Sequence, residues 1–168
     1  MISIHQACIP PAVRALNALS AILAKGAAHC EARSIDPSAL LQFRLYPDMF
    51  PLTRQVQIAS DSANRLGARM AGVPVPSMPD TETSFAELEA RLAKTIAFLT
   101  SLPASQFEGG ETREIVIPGR KGETRMPALE YIQGSAFPNL YFHVATAYDI
   151  LRHNGVEIGK RDFLGTPA

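Results

Sequence analysis

Two cysteines in 168 residues are too few for a disulfide framework, and their spacing is not that of a zinc site. Cys8 and Cys30 both fall on the first predicted helix, where roughly 22 steps of about 1.5 Å hold them some 33 Å apart, beyond any bridge. Both read as small buried hydrophobes or incidental thiols. Neither sign of charge is in excess. With 16 basic and 16 acidic residues, no global field recruits nucleic acid or an anionic membrane. Long apolar runs are missing as well: the mostly apolar stretch Ala15 to Ala24, itself interrupted by Asn17 and Ser20, is bracketed by Arg14 and Lys25 and falls short of the ~18 residues that span a bilayer. The opening MISIHQACIPP lacks the basic and apolar regions of a signal peptide. The expectation is a cytoplasmic protein without nucleic-acid or membrane partners. No Gly-x-Ser-x-Gly, His-Glu-x-x-His or dinucleotide fingerprint occurs, and no Gly-rich loop runs into a helix, which excludes a P-loop.

What is present is helical periodicity. A hydrophobic content of 46% with 19% charged residues is that of a globular chain, and the length fits one domain, 1–168. Residues 4 to 28 carry Ile4, Cys8, Ala12, Leu16, Leu19 and Leu23 at helical spacing, with a kink or turn expected at Pro10-Pro11. Gly26 and the polar run after it mark the end. Asp36-Pro37 opens a short helix to about Arg44. In the second long helix Asp48 is the expected cap, and Met49, Leu52, Val56, Ala59, Ala63, Leu66 and Met70 alternate steps of three and four, a seam for near-parallel packing. Val73 to Pro79 holds three prolines and is an extended crossover.

Ser84 and Glu87 form a capping box ahead of Phe85, Leu88, Leu92, Ile96, Leu99 and Leu102, the third helix. Thr112 to Ile117 and Glu123 to Met126 flank a Pro-Gly-Arg-Lys-Gly turn and predict a small β-hairpin. Pro127 then opens a fourth helix through Leu129, Ile132, Ala136, Leu140, Val144, Ala147 and Leu151, bent at Pro138 and stopped by Asn154-Gly155. The fold class is all-α: a four-helix bundle with a long crossover between helices two and three, which lets those two run the same way.

His143 lies on the inward side of the fourth helix, beside Leu140, Val144 and Ala147, and Asn139 shares its face one turn earlier. Gln55, Gln57, Asp61 and Ser62 of the second helix are its possible partners. An inward His in a bundle core can hold a metal, line a small-molecule pocket with Asn139, or be a core histidine bonded to Gln or Tyr. Asn and Gln are poor ligands for a divalent transition metal. His153 closes the last turn of its helix, where a donor meets free carbonyls, and Tyr141 and Tyr148 form an aromatic stripe. Gly159 to Phe163 reads as a tail pinned by Ile158, Phe163 and Leu164 with Lys160 and Arg161 in solvent.

The segments PDMFPLTRQVQIASD, TSFAELEARLAKTIAFL and SAFPNLYFHVATAYDILRHNGVEIGKRDFLG, with the hairpin before the last, resemble a bacterial family of unknown function grouped with the DinB/YfiT-like metalloenzyme superfamily. The resemblance covers nearly the whole chain. It implies a DinB-like bundle, a homodimer paired through helix faces, and a metal held by one His of helix two and two His one turn apart on helix four. Here helix two has no histidine, and on helix four only His143 matches, with Asn139 one turn before it and Ala147 one turn after. The expectation is a dimeric bundle with a polar ligand pocket around His143. The alternative is a divergent metal- or thiol-dependent transferase using that histidine.

Overall fold

The computed structural model describes residues 2–119 and 122–165. Four long helices dominate it: α1 (Ile4–Arg33), α3 (Leu52–Ala71), α4 (Phe85–Ser101) and α6 (Phe137–His153). Shorter pieces are α2 (Pro37–Leu41), α5 (Ala128–Glu130) and α7 (Lys160–Leu164), and β1 (Glu114–Gly119) pairs antiparallel with β2 (Gly122–Pro127). Arg120 and Lys121 of the expected turn lie outside the described residues. α1 packs against α4 and α6, and α3 against the same two.

α1 opens on a capping box, in which Gln6 N donates to Ser3 Oγ and Ser3 N to Gln6 Oε1, satisfying two orphan donors reciprocally. It runs through Pro10 and Pro11 as one continuous helix, so no separate turn precedes the main helix there. Both prolines sit outside the core, where water can take the carbonyls they leave unpaired. Nor does Gly26 end the helix. A Cβ there would lie 3.1 Å from Leu151 and 3.2 Å from Phe85, so the glycine lets α1, α4 and α6 approach closely. The true stop is Ser34 in the left-handed region at φ 54°. By length and composition α1 could cross a membrane, which counting uninterrupted apolar residues missed. Its stripe from Cys8 through Leu16, Leu19, Ile22 and Leu23 to Cys30 is buried in the core.

α2 ends at Leu41 rather than Arg44. α3 begins at Leu52, with Pro51 rather than Asp48 at the cap position. The expected seam is otherwise present: Leu52, Val56, Ala59, Ala63, Leu66 and Met70 are all buried. Along the α3–α4 seam Ser60 meets Thr95, and further on a Cβ at Gly67 would clash with Leu99 and touch Leu102. Along the α3–α6 seam the order reverses, with Gln55 at His143 and Ser62 at Asn139. Ser84 and Glu87 form the expected capping box of α4.

The fourth helical segment differs most from expectation. α5 continues into a π-helical stretch, Tyr131–Ala136, before α6. The wider turn falls just before Pro138, whose missing N–H and ring disfavour a regular α turn there. It also moves the preceding residues around the axis, so Leu129 is 54% exposed while Ala128 and Tyr131 are buried. The hairpin is held by buried Ile115 and by Arg113, whose guanidinium donates to the Arg69 and Met70 carbonyls, a cation at the C-terminal end of α3. In the tail, Ile158 is buried and Phe163 half-buried against Tyr148, but Leu164 is 48% exposed. Asp162 anchors α7 instead, accepting from Gly159 N and Lys25 Nζ.

Candidate functional site

α3 presents two polar faces, and the sequence candidates divide between them. At about 100° per residue, Ser62 returns to the azimuth of Gln55, whereas Gln57 and Asp61 fall on the far side. The structure follows that geometry. Gln55 and Ser62 face α6; Gln57 and Asp61 face α4 and the crossover.

On the α6 side His143 is buried, and its Nδ1 lies 2.7 Å from Gln55 Oε1. Gln55 Nε2 donates to the Phe50 carbonyl at 2.9 Å, which turns the amide oxygen toward the imidazole. His143 therefore carries its proton on Nδ1, leaving Nε2 as the acceptor side of the ring. Burial lowers the His143 pKa, and the nearby Arg54 charge lowers it further, so the ring is neutral at pH 7. One turn earlier Asn139 Nδ2 donates to Ser62 Oγ at 2.7 Å, and Ser62 in turn donates to the Ile58 carbonyl. Two turns further along α3, Arg69 Nη1 donates to the Tyr131 phenol at 3.1 Å, its guanidinium 5.4 Å from the ring centroid. Burial pushes the Tyr131 phenol up, and Arg69 only partly offsets it.

The Asn139–Ser62 and Arg69–Tyr131 pairs border a cavity of about 410 Å³, lined also by Arg65 and Ser135, with Ile117 and Pro118 of β1 as an apolar edge. The volume is within the range of small-ligand sites. Asn139 stands in its wall, and His143 with Gln55 lies one turn along the same seam. Among the described residues no three His, Cys, Asp or Glu cluster as metal ligands. The seam offers one imidazole with two amides and a hydroxyl, and that donor set does not fit a divalent transition metal.

On the α4 side the expectation needs correcting. Gln57 and Asp61 do not share a space with His143, because both are bound into a network around Arg91, whose side chain is 1% exposed. Arg91 Nη2 lies 2.7 Å from Asp61 and 3.0 Å from Asp80, Nη1 lies 2.9 Å from Glu82, and Nε donates to Ser60. Gln57 bridges Glu82 and Arg54, and Arg54 pairs with Asp80. Burial alone would raise the Glu82 carboxyl, but Arg91 and Gln57 outweigh it and hold the pKa below the ordinary value. The network clamps the crossover to both helices.

Arg91, Arg65, Arg69 and Tyr131 were not singled out from sequence. Arg91 had a signal: it lies three residues after Leu88, on the apolar stripe of α4. Gln55, Ser62 and Arg69 had one too, since steps of seven keep a polar line on one face.

Of the remaining sequence candidates, Cys8 and Cys30 are buried free thiols. Desolvation pushes Cys8 up to about 12 and raises Cys30 as well, which suits inert core residues. Tyr141 stacks on Phe137 and Tyr148 meets Phe163, so the two contact separate aromatic partners. His153 lies against Phe43.

The family described as Domain of unknown function (DUF1993) matches residues 4–164. Among solved structures, the crystal structure of a DinB family member protein from Shewanella denitrificans is 39% identical. The match covers 97% of this chain and 92% of that one, with a TM-score of 0.91. No curated protein matches the chain.

Proposed function

The chain belongs to the DUF1993 family of the DinB-like superfamily, and from that premise we propose that it is a small-molecule-binding bundle, its site the polar cavity between α3 and α6. The observation that carries this is the placement of Asn139 in the wall of a cavity of about 410 Å³, one helical turn from the buried His143–Gln55 pair. Donors and acceptors held by other bonds in a concave site orient a ligand without large rearrangement. We assign His143 a positioning role, as a neutral imidazole that fixes Gln55 and the local spacing of α3 and α6.

The DinB-like arrangement, with α3 and α4 running the same way across the crossover, is part of the proposal. It is supported by contacts that advance together along those helices and in opposite order along α3 and α6. So are a cytoplasmic location, a single domain and a homodimer. Phe50, whose carbonyl accepts from Gln55, and Phe142, whose ring meets His143, are both exposed and are the face we assign to the second copy. Phe142→Ser should then leave a monomer in sedimentation.

The test is a thermal-shift panel of metabolites and thiols on the full chain. A ligand at about 100 times its Kd stabilises by about 2.7 kcal/mol, or roughly 5–11 °C for a chain of this size. Asn139→Ala should abolish that shift. If no compound moves the melting temperature, the binding function is wrong. The transferase alternative has its own signature, a stoichiometric transition metal in chelator-free protein that disappears in His143→Ala.

A further inference from the structure

We propose that the ligand is an organic oxyanion, with its carboxylate or phosphate seated between Arg65 and Arg69; this rests on the reading of the cavity as a binding site. The argument is one of charge compensation. Around the crossover, Asp61, Asp80 and Glu82 are matched by Arg54, Arg65 and Arg91. Arg69 is left over. Among the described residues no carboxylate lies within ion-pair distance of it, and its guanidinium, which carries five N–H donors, has one hydrogen bond, to the Tyr131 phenol. Arg65 is only partly matched. Its contact with Asp61 is 3.3 Å, and the other oxygen of that carboxylate is held by Arg91 at 2.7 Å.

Two arginines one turn apart therefore line the cavity with less than one carboxylate between them. A helix face can present such a pair to a single planar or tetrahedral oxyanion, the geometry guanidinium groups recognise best. Neutral donors surround them. The Tyr131 oxygen accepts from Arg69, so its own proton remains to be given, and burial keeps that proton on. Ser135 and Asn139 add short polar side chains, and Ile117 with Pro118 offers an apolar edge to the rest of the molecule. The space exceeds what an inorganic ion fills, which favours an anion with an organic body. The π-helical stretch brings Tyr131 and Ser135 to the cavity wall together.

Isothermal titration calorimetry on the full chain at constant ionic strength tests this with phenyl phosphate, benzoate and their neutral isostere benzamide. The expected result is that an anion binds and benzamide binds about tenfold more weakly or not at all, since a hydrogen-bonded charge contact is worth about tenfold or more. Which anion is tighter identifies phosphate or carboxylate as the head group. Arg69→Gln should weaken the anion about tenfold with unchanged circular dichroism, Arg69→Lys less, and Lys94→Gln, on the exposed face of α4, not at all. Equal binding of benzamide and the anions, with Arg69→Gln silent but Asn139→Ala effective, overturns the oxyanion seat and leaves the binding site standing. An equal loss in Lys94→Gln and Arg69→Gln reveals general charge screening and also overturns it. No binding of any probe overturns the oxyanion seat, and if the metabolite panel also gives no shift the binding site falls with it.

Discussion

The two sides of α3 carry polar residues in similar number and use them in opposite ways. Toward α4, Arg91 is enclosed by three carboxylates and a hydroxyl, and every charge has a partner. Toward α6, the pairs are neutral or half-made: an imidazole on an amide, an amide on a hydroxyl, an arginine on a phenol. Compensation marks the first as a clamp. Its absence, beside a cavity, is the difference on which the proposed binding site rests.

The contrast breaks most readily at Arg91. Arg91→Met would leave Asp61, Asp80 and Glu82 clustered without their buried cation. Removing one partner of a buried ion network costs about 3–5 kcal/mol, toward the lower end here because Asp61 and Asp80 keep some contact with water. The melting temperature should drop by roughly 6–12 °C. Glu82→Gln keeps the shape and removes one charge; about 1–2 kcal/mol is expected in urea unfolding.

On the other side the effects should be smaller and of a different kind. Because the His143 pKa is lowered in the folded chain, the unfolded chain takes up its proton first, near pH 6.5. Stability should fall as pH drops through about 6.5 and stop falling once the folded ring is protonated. His143→Gln should flatten that part of the profile, read as urea midpoints at pH 5 and pH 7. Arg69→Gln, the smallest, should cost less than about 1 kcal/mol, the scale of a lost cation–π contact and one hydrogen bond. A large loss there would erase the distinction between the two faces.

Most of the helical framework was legible because apolar periodicity and cap chemistry are local. Ser84-Glu87 and the seam from Leu52 to Met70 each carry their signal within a few residues. The inward His143 was legible for the same reason. Its partner was narrowed only to a group, since choosing Gln55 over Gln57 needs the azimuth of α3 relative to α6, which packing sets. Arg69 and Tyr131 are 62 residues apart in sequence, and no local pattern pairs them. The prolines carried the least complete signal: α1 continues through Pro10 and Pro11 as one helix, and Pro138 follows a wide π-helical turn that no local pattern announced.

That wide turn makes the last helical segment two rods joined out of phase. A helix of constant pitch ties the azimuth of Tyr131 to that of Asn139 and His143, so turning one toward the cavity turns the others with it. A phase slip at Tyr131–Ala136 uncouples them. Side chains before it can be aimed at α3 while those after it keep their own register. Deleting Gly134, whose Cβ would meet nothing within 4 Å, would restore a constant pitch and swing Tyr131 by about 100°, leaving Arg69 without its phenol and the cavity without one wall.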